Sequence, residues 1–278
     1  MRSRWLVAAV LAACVAGAGA VSNGAQATAE DVLSRSVKVH GGEAAGTWKT
    51  LTLRGRVEMQ DGIKYNAAFL LQAKAPGRVR VEQDMTADRG RITNDLFLHD
   101  GQAWSRRNLV VNPRGNVKQM MRFLRHCYGI AYYAKHGTEA SLGPDETVEW
   151  TPDGAASGNA APLVRPAYVV TTKVDGETVK LYIDKGTYHL IQETYLTKDG
   201  EQLRVEGRRL ARNFKAFGAV VFPTQVLDIT VNREGRETVL PYSYDSVTFD
   251  LPIEDWVFEE DRPGRESGHL RTAPGSGL

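Results

Sequence analysis

Leu51-Thr52-Leu53-Arg54-Gly55-Arg56-Val57-Glu58-Met59 alternates apolar and polar side chains, with Gly55 interrupting the apolar set. Asp61-Gly62 follows, and Tyr65, Ala67, Phe69, Leu71 and Ala73 resume the alternation until Ala75-Pro76-Gly77 ends it. A period of two sends successive side chains to opposite faces of a strand, and Asp-Gly between two such runs marks a tight hairpin turn. The stretch therefore reads as an antiparallel hairpin with one apolar face. Val79 and Val81, set between Arg78, Arg80 and Glu82, continue the pattern, and Ile92 to His99 and Gln102 to Ser105 add two strands across Asp100-Gly101.

Beyond these five strands the period changes. Val117, Met120, Met121, Leu124 and Tyr128 recur at three and four residues, which predicts one amphipathic helix from Asn116 to Lys135. Pro144, Pro152, Pro162 and Pro166 make 143–166 an irregular loop. Strands then resume at Tyr168 to Val174, Val179 to Asp184, Leu190 to Thr197, Leu203 to Arg212, Val221 to Val231 and Glu237 to Phe249. Their turns are Asp175-Gly176, Lys185-Gly186, Asp199-Gly200 and Glu234-Gly235. About eleven antiparallel strands predict a mainly β (α+β) fold, one large curved sheet forming an incomplete barrel lidded by short helices. One lid is Glu30 to His40, with Val32, Leu33, Ser36 and Val37 on one face and Gly41-Gly42 as its stop.

Arg2 and Arg4 precede an apolar run from Trp5 to Ala16 that is too short to span a bilayer, which is the pattern of an export signal. We place the signal at 1–27, ending on Ala25-Gln26-Ala27; Ala18-Gly19-Ala20 is a second cleavage option. The rival is Leu11-Ala12-Ala13-Cys14, a lipobox-like run in which Cys14 would carry the lipid of a membrane-anchored protein. Residues 28–262 are then expected to form a single periplasmic domain, and 263–278, poor in apolar residues, a disordered tail. The +2 net charge comes from Arg2 and Arg4 alone, so a nucleic-acid partner gains no support. Cys127 is the one thiol left in the domain and reads as a small apolar core residue, without a disulfide framework.

The sequence carries no catalytic constellation. His40, His99, His126, His136, His189 and His269 are scattered without metal-ligand spacing, and no phosphate-loop, dinucleotide or Gly-x-Ser-x-Gly motif occurs. We expect no enzyme activity, no metal and no cofactor. Glu254-Asp255 and Glu259-Glu260-Asp261 read as a solvated edge, and Arg106-Arg107 and Arg208-Arg209 as outward strand charges. What remains is apolar surface: Leu51, Leu53, Val57, Phe69, Leu71, Val79 and Val81 on the strands, and Met120, Met121, Phe123 and Leu124 on the helix. These side chains either pack on one another as core or line a concavity that adaptable methionines close over apolar ligands.

Several segments, taken in order, resemble the lipoprotein-localisation family, whose members sort outer-membrane lipoproteins. They are His40-Gly41-Gly42, Lys49-Thr50-Leu51-Thr52-Leu53-Arg54-Gly55 and Lys74-Ala75-Pro76-Gly77-Arg78-Val79-Arg80-Val81-Glu82. Asp100-Gly101-Gln102-Ala103-Trp104, Tyr182-Ile183-Asp184-Lys185-Gly186-Thr187-Tyr188, Gly218, Pro223, Pro252-Ile253 and Phe258 follow. The resemblance implies a half-barrel that holds acyl chains of lipoproteins or lipids in an apolar concavity, with an inner-membrane donor and an outer-membrane acceptor as partners. It implies nothing about oligomeric state. The chain departs from the short carrier pattern by its length, its 143–166 loop and its central helix. Enclosing about fifteen methylenes at roughly 0.8 kcal/mol each is worth about 12 kcal/mol per chain, so a carrier must hold its cargo incompletely. The alternatives are an envelope sensor or binding module for another apolar ligand, and a structural protein with a filled core. An enzyme would reveal itself by hydrolysis lost on mutating His99 or His126.

Overall fold

The computed structural model describes residues 27–263 apart from 62, 88, 89 and 151–162. The expected export signal with Cys14 and the expected disordered tail beyond 263 lie outside the described residues. Six strands form a first arm: β1 (Thr50–Asp61), β2 (Ile63–Lys74), β3 (Arg78–Ala87), β4 (Gly90–His99), β5 (Gln102–Arg107) and β6 (Val110–Asn112). The second arm holds β7 (Thr138–Leu142), β8 (Glu146–Trp150), β9 (Leu163–Val174), β10 (Glu177–Asp184), β11 (Leu190–Asp199), β12 (Gln202–Phe217), β13 (Val220–Val231) and β14 (Glu237–Phe249).

The arms join where β14 pairs with β1, giving one antiparallel sheet of fourteen strands among the described residues, ordered β6-β5-β4-β3-β2-β1-β14-β13-β12-β11-β10-β9-β7. It does not close: β6 ends one side, and β7 and β8 share the outer edge of β9 on the other. Register follows the alternation. Leu53 faces Leu71, Leu71 faces Val81, and Ala73 faces Val79, so the apolar set of each strand falls on one side. At Gly55 the register against β14 shifts, and a Cβ there would come within 1.9 Å of the Ser243 carbonyl oxygen, which only glycine avoids.

Four helices lie on the concave side: α1 (Ala29–Val39), α2 (Ala44–Thr47), α3 (Val117–Tyr128) and α4 (Ile130–His136). Thr28 caps α1, its hydroxyl accepting from the Asp31 N–H while the Asp31 carboxylate accepts from the Thr28 N–H. At the other end of α1, His40 is clamped between strands. Its Nε2 accepts from the Leu190 N–H at 3.1 Å, Nδ1 faces the Val221 carbonyl at 3.1 Å, and its own carbonyl accepts from the Val221 N–H. Gly41 (φ 116) lets the chain leave that clamp, because any Cβ would strike the Ala219 carbonyl oxygen. The His-Gly-Gly motif is thus a docking joint.

Three sequence expectations change. The single helix from Asn116 to Lys135 is two, broken at Gly129 (φ 55), where α3 ends and α4 turns away. Residues 143–166 are not one irregular loop: they contain β8 and the start of β9. The C-terminal acidic segment is a half-exposed edge that is also anchored to the sheet. Phe258 is fully buried, Asp255 pairs with Lys74 at 2.5 Å and Arg78 at 2.6 Å, and Glu260 and Asp261 pair with Arg106 at 2.7 and 2.8 Å. This strap covers Phe97 and Trp104, which stack on each other on the convex face of β4 and β5, and the Trp104 indole N–H donates to the Glu260 carbonyl.

Candidate functional site

The concave face has two unlike halves with α3 between them. Asn116 starts α3, its side-chain oxygen accepting from the Gln119 N–H at 3.0 Å. Heptad-like spacing then turns Met120, Phe123, Leu124 and Cys127 onto one buried stripe. That stripe joins a core cluster with Leu51, Leu53, Val57, Phe69, Leu71, Val79 and Val81, whose side chains are buried. Of the eleven side chains expected to line an apolar concavity, ten are buried in this cluster, and Met121 is half-buried at its margin. Phe69 meets the Tyr242 ring edge-on at 5.0 Å and lies nearly parallel to Tyr244 at 6.0 Å. In this conformation the helix, not a void, covers the apolar half.

The other side of α3 faces charge. Arg125 is fully buried and ion-paired to the buried Glu177; Arg122 reaches Glu177 at 2.6 Å and Glu206 at 2.8 Å, over the ring of Tyr195 at 4.2 Å. Lys118 joins both acids. Across β11, β12 and β13, Glu193, Arg209 and Asp228 stand directly opposite one another. Arg209 donates to Asp228 at 2.9 Å and to the Arg122 carbonyl at 2.7 Å, so it ties α3 to the sheet. This corrects the expectation that Arg208-Arg209 points outward as a pair. Arg208 does, on Glu237, whereas Arg209 is an inward buried charge.

Burial works against the Glu177 charge, but the Arg122 and Arg125 guanidiniums outweigh it and hold its carboxyl below the usual carboxylate range. Burial pushes the His126 imidazole well below its ordinary value, and its Nε2 lies 3.0 Å from the Tyr244 hydroxyl. Burial likewise pushes the Cys127 thiol up to about 12. Cys127 is a free, buried, protonated core residue. His99 lies beneath the C-terminal strap against Arg262, so it and His126 do not share a site. Among the described residues no group of three or more His, Cys, Asp or Glu side chains could hold a metal ion, and no helix is long and apolar enough to cross a membrane.

Four openings stand out among the described residues, one of them about 560 Å³ between α1 and α4. A cavity of about 30 Å³ beneath Gly129 is lined by His126, Cys127, Arg209 and Phe222, room for a water or two. A groove of about 640 Å³ on the convex face lies between β8 and Tyr182, Leu210 and Ile229. The fourth, about 670 Å³, opens at the mouth of the half-barrel between the start of α3 and the β9–β10 and β11–β12 hairpins. Its apolar side chains are Val117, Met121, Leu196 and Leu203, and Lys118, Lys173 and Lys198 stand around them. At the same end of the sheet, the β5–β6 turn exposes Leu109 (94%) and Val110 (73%) to solvent.

Sequence periodicity missed the inward arginines, Glu177 and the mouth groove. One signal was available: from Gly101 to Thr138 the chain carries seven Lys or Arg and no Asp or Glu. A helix this basic, laid against a sheet, needs acids on the strands that receive it.

An open antiparallel half-barrel filled from its concave side by helices defines the class of structure, and solved structures share it. A LolA superfamily protein from Nitrosomonas europaea is similar over 85% of this chain and 99% of its own, with TM-score 0.50 and 14% identity. A DUF1329 family protein from Desulfovibrio piger matches over 84% and 97%, with TM-score 0.56 and 11% identity. An outer membrane lipoprotein-sorting protein domain from Vibrio parahaemolyticus matches over 83% and 97%, with TM-score 0.51 and 10% identity. The resemblance read in the sequence therefore holds at the level of the fold. No family model matches the sequence, and no curated protein matches it significantly.

Proposed function

We propose that this protein is an exported binding protein of the cell envelope that carries or accepts the acyl chains of lipidated proteins or lipids, without catalysis. The observation that carries the reading is the first arm: an apolar inner surface on β14 and β1 through β4 that shares one core with the buried stripe of α3. A helix of twelve residues bounded by Gly115 and Gly129 can leave as a unit. Acyl chains would then replace Met120, Phe123 and Leu124 against Leu53, Leu71 and Val81, while the Arg122 and Arg125 pairs to Glu177 that break as α3 leaves draw it back. Release is possible because α3 competes for the same surface. The apolar rim at Leu109 and Val110 suits an end that meets greasy cargo.

The fold shared with a lipoprotein-sorting domain supports this reading. Mass spectrometry of the protein purified from envelope fractions tests it, reading the mature N-terminus and any extracted lipid. Acylated material bound to a chain beginning at Thr28 is the result expected for a soluble carrier, and a lipidated Cys14 that for an anchored acceptor. A lipid-free protein that also fails to take up a triacylated lipopeptide would overturn the reading in favour of a filled structural core.

A further inference from the structure

We propose that the groove at the mouth is a second binding site, separate from the surface beneath α3, and that it takes one acyl chain bearing an anionic head. It goes beyond the carrier reading, because its ligand touches neither Leu53 nor Leu71.

The groove's inner end is shut by charge. Glu177, which lines it, is held by Arg122, Arg125 and Lys118, so no chain can pass from it into the core without breaking buried ion pairs. Its floor is nevertheless apolar and wet. Leu203 is 53% and Val117 41% exposed, Met121 is half-buried beside them, and Leu196 lies beneath. Apolar side chains gathered in a concave wet site are covered at a gain by an apolar ligand.

Size admits a chain. At roughly 30 Å³ per methylene-sized group, a sixteen-carbon chain needs about 480 Å³, and the groove, at about 670 Å³, has room for it.

Charge sets the head. Asp175 is engaged by Arg125 and the Tyr132 hydroxyl, and Glu177 by three cations, so the acids are already matched. Lys198 is exposed with no ion pair among the described residues, and Lys173 holds only Glu139 in a solvent-exposed pair that is readily exchanged. A carboxylate or phosphate at the end of the chain meets these two ammonium groups.

The test is titration calorimetry below the micelle concentration with two fourteen-carbon probes, myristate and lysophosphatidylglycerol, and with zwitterionic lysophosphatidylcholine as the control. We expect one anionic chain per protein, about tenfold tighter than the zwitterionic probe at low salt. Preference for myristate would mark a carboxylate site, and preference for the phospholipid a phosphate site. The exposed substitutions Leu203→Asp and Lys198→Glu with Lys173→Glu should each weaken binding about tenfold. Fixing α3 to β4 by a disulfide should leave it unchanged. Equal affinity for all three probes, indifference to Leu203→Asp, or loss of binding when α3 is fixed would overturn the second site. The last result would leave the carrier reading intact, since the chain would then bind beneath α3.

Discussion

The two arms of the sheet differ in how much charge their inner faces bury. From β1 to β4 the inner residues Leu51, Leu53, Leu71, Val79, Val81 and Leu98 pack by shape, with the neutral pair Gln83 and Asn94 beside them. From β10 to β13 Val179, Leu181, Ile183 and Phe222 belong to the same apolar core, but Glu177, Glu193, Arg209 and Asp228 stand among them, each tied to a specific neighbour. An apolar surface accepts any apolar cover. A buried charge accepts only its counter-ion, because losing one leaves the other unsolvated. The first arm is therefore the one able to exchange α3 for a ligand, and the second is what calls α3 back into register.

The sharpest way to break this contrast is Glu177→Ala. It strands Arg125 in the interior and should cost about 3–5 kcal/mol in denaturant unfolding. Replacing Glu177, Arg122 and Arg125 together with Leu or Met should be near neutral or stabilising, and should lower ligand release by removing the restoring force on α3. In the apolar arm, Leu53→Ala should cost about 2–4 kcal/mol with no rescue by a partner substitution, since the loss is a cavity.

Acid should loosen the α1 joint. Burial lowers the His40 pKa to about 4, against an unfolded value near 6.5, so the folded state resists protonation. The stability this neutral imidazole confers is complete above about pH 6.5 and is lost as pH falls toward 4, about 3 kcal/mol in all. His40→Asn should flatten that part of the stability–pH curve. Paired carboxylates such as Glu177 add a further loss as pH falls below the ordinary carboxylate range. The smallest effect belongs to Cys127. Its thiol should react with a maleimide only on unfolding, and Cys127→Ala should shift stability by about 1 kcal/mol.

The apolar arm was legible in the sequence because its alternation resumes on both sides of Gly55 and continues across the turns at Asp61-Gly62 and Asp100-Gly101. The charged arm was not, because neighbouring arginines look alike until register is known. Arg209 faces inward only because β12 pairs it with Glu193 on one side and Asp228 on the other. The β11–β12 register also shifts at Tyr195, which no periodicity reports. The break at Gly129 was hidden because Ile130, Tyr132 and Tyr133 continue an apolar pattern past it. β8 was hidden by prolines. Pro166 sits in β9 just past the last β9–β10 pair, where the β10 ladder does not need its missing N–H.

The most direct test of the central claim fixes α3 in place. In a Cys127→Ala background, one cysteine on α3 and one on β4 form a reversible clamp, and uptake of a triacylated lipopeptide is measured oxidised and reduced. The account predicts uptake lost in the oxidised protein and restored by reduction. Equal uptake in both states would show that acyl chains never reach the surface beneath α3, contradicting the division between an exchangeable arm and a fixed one.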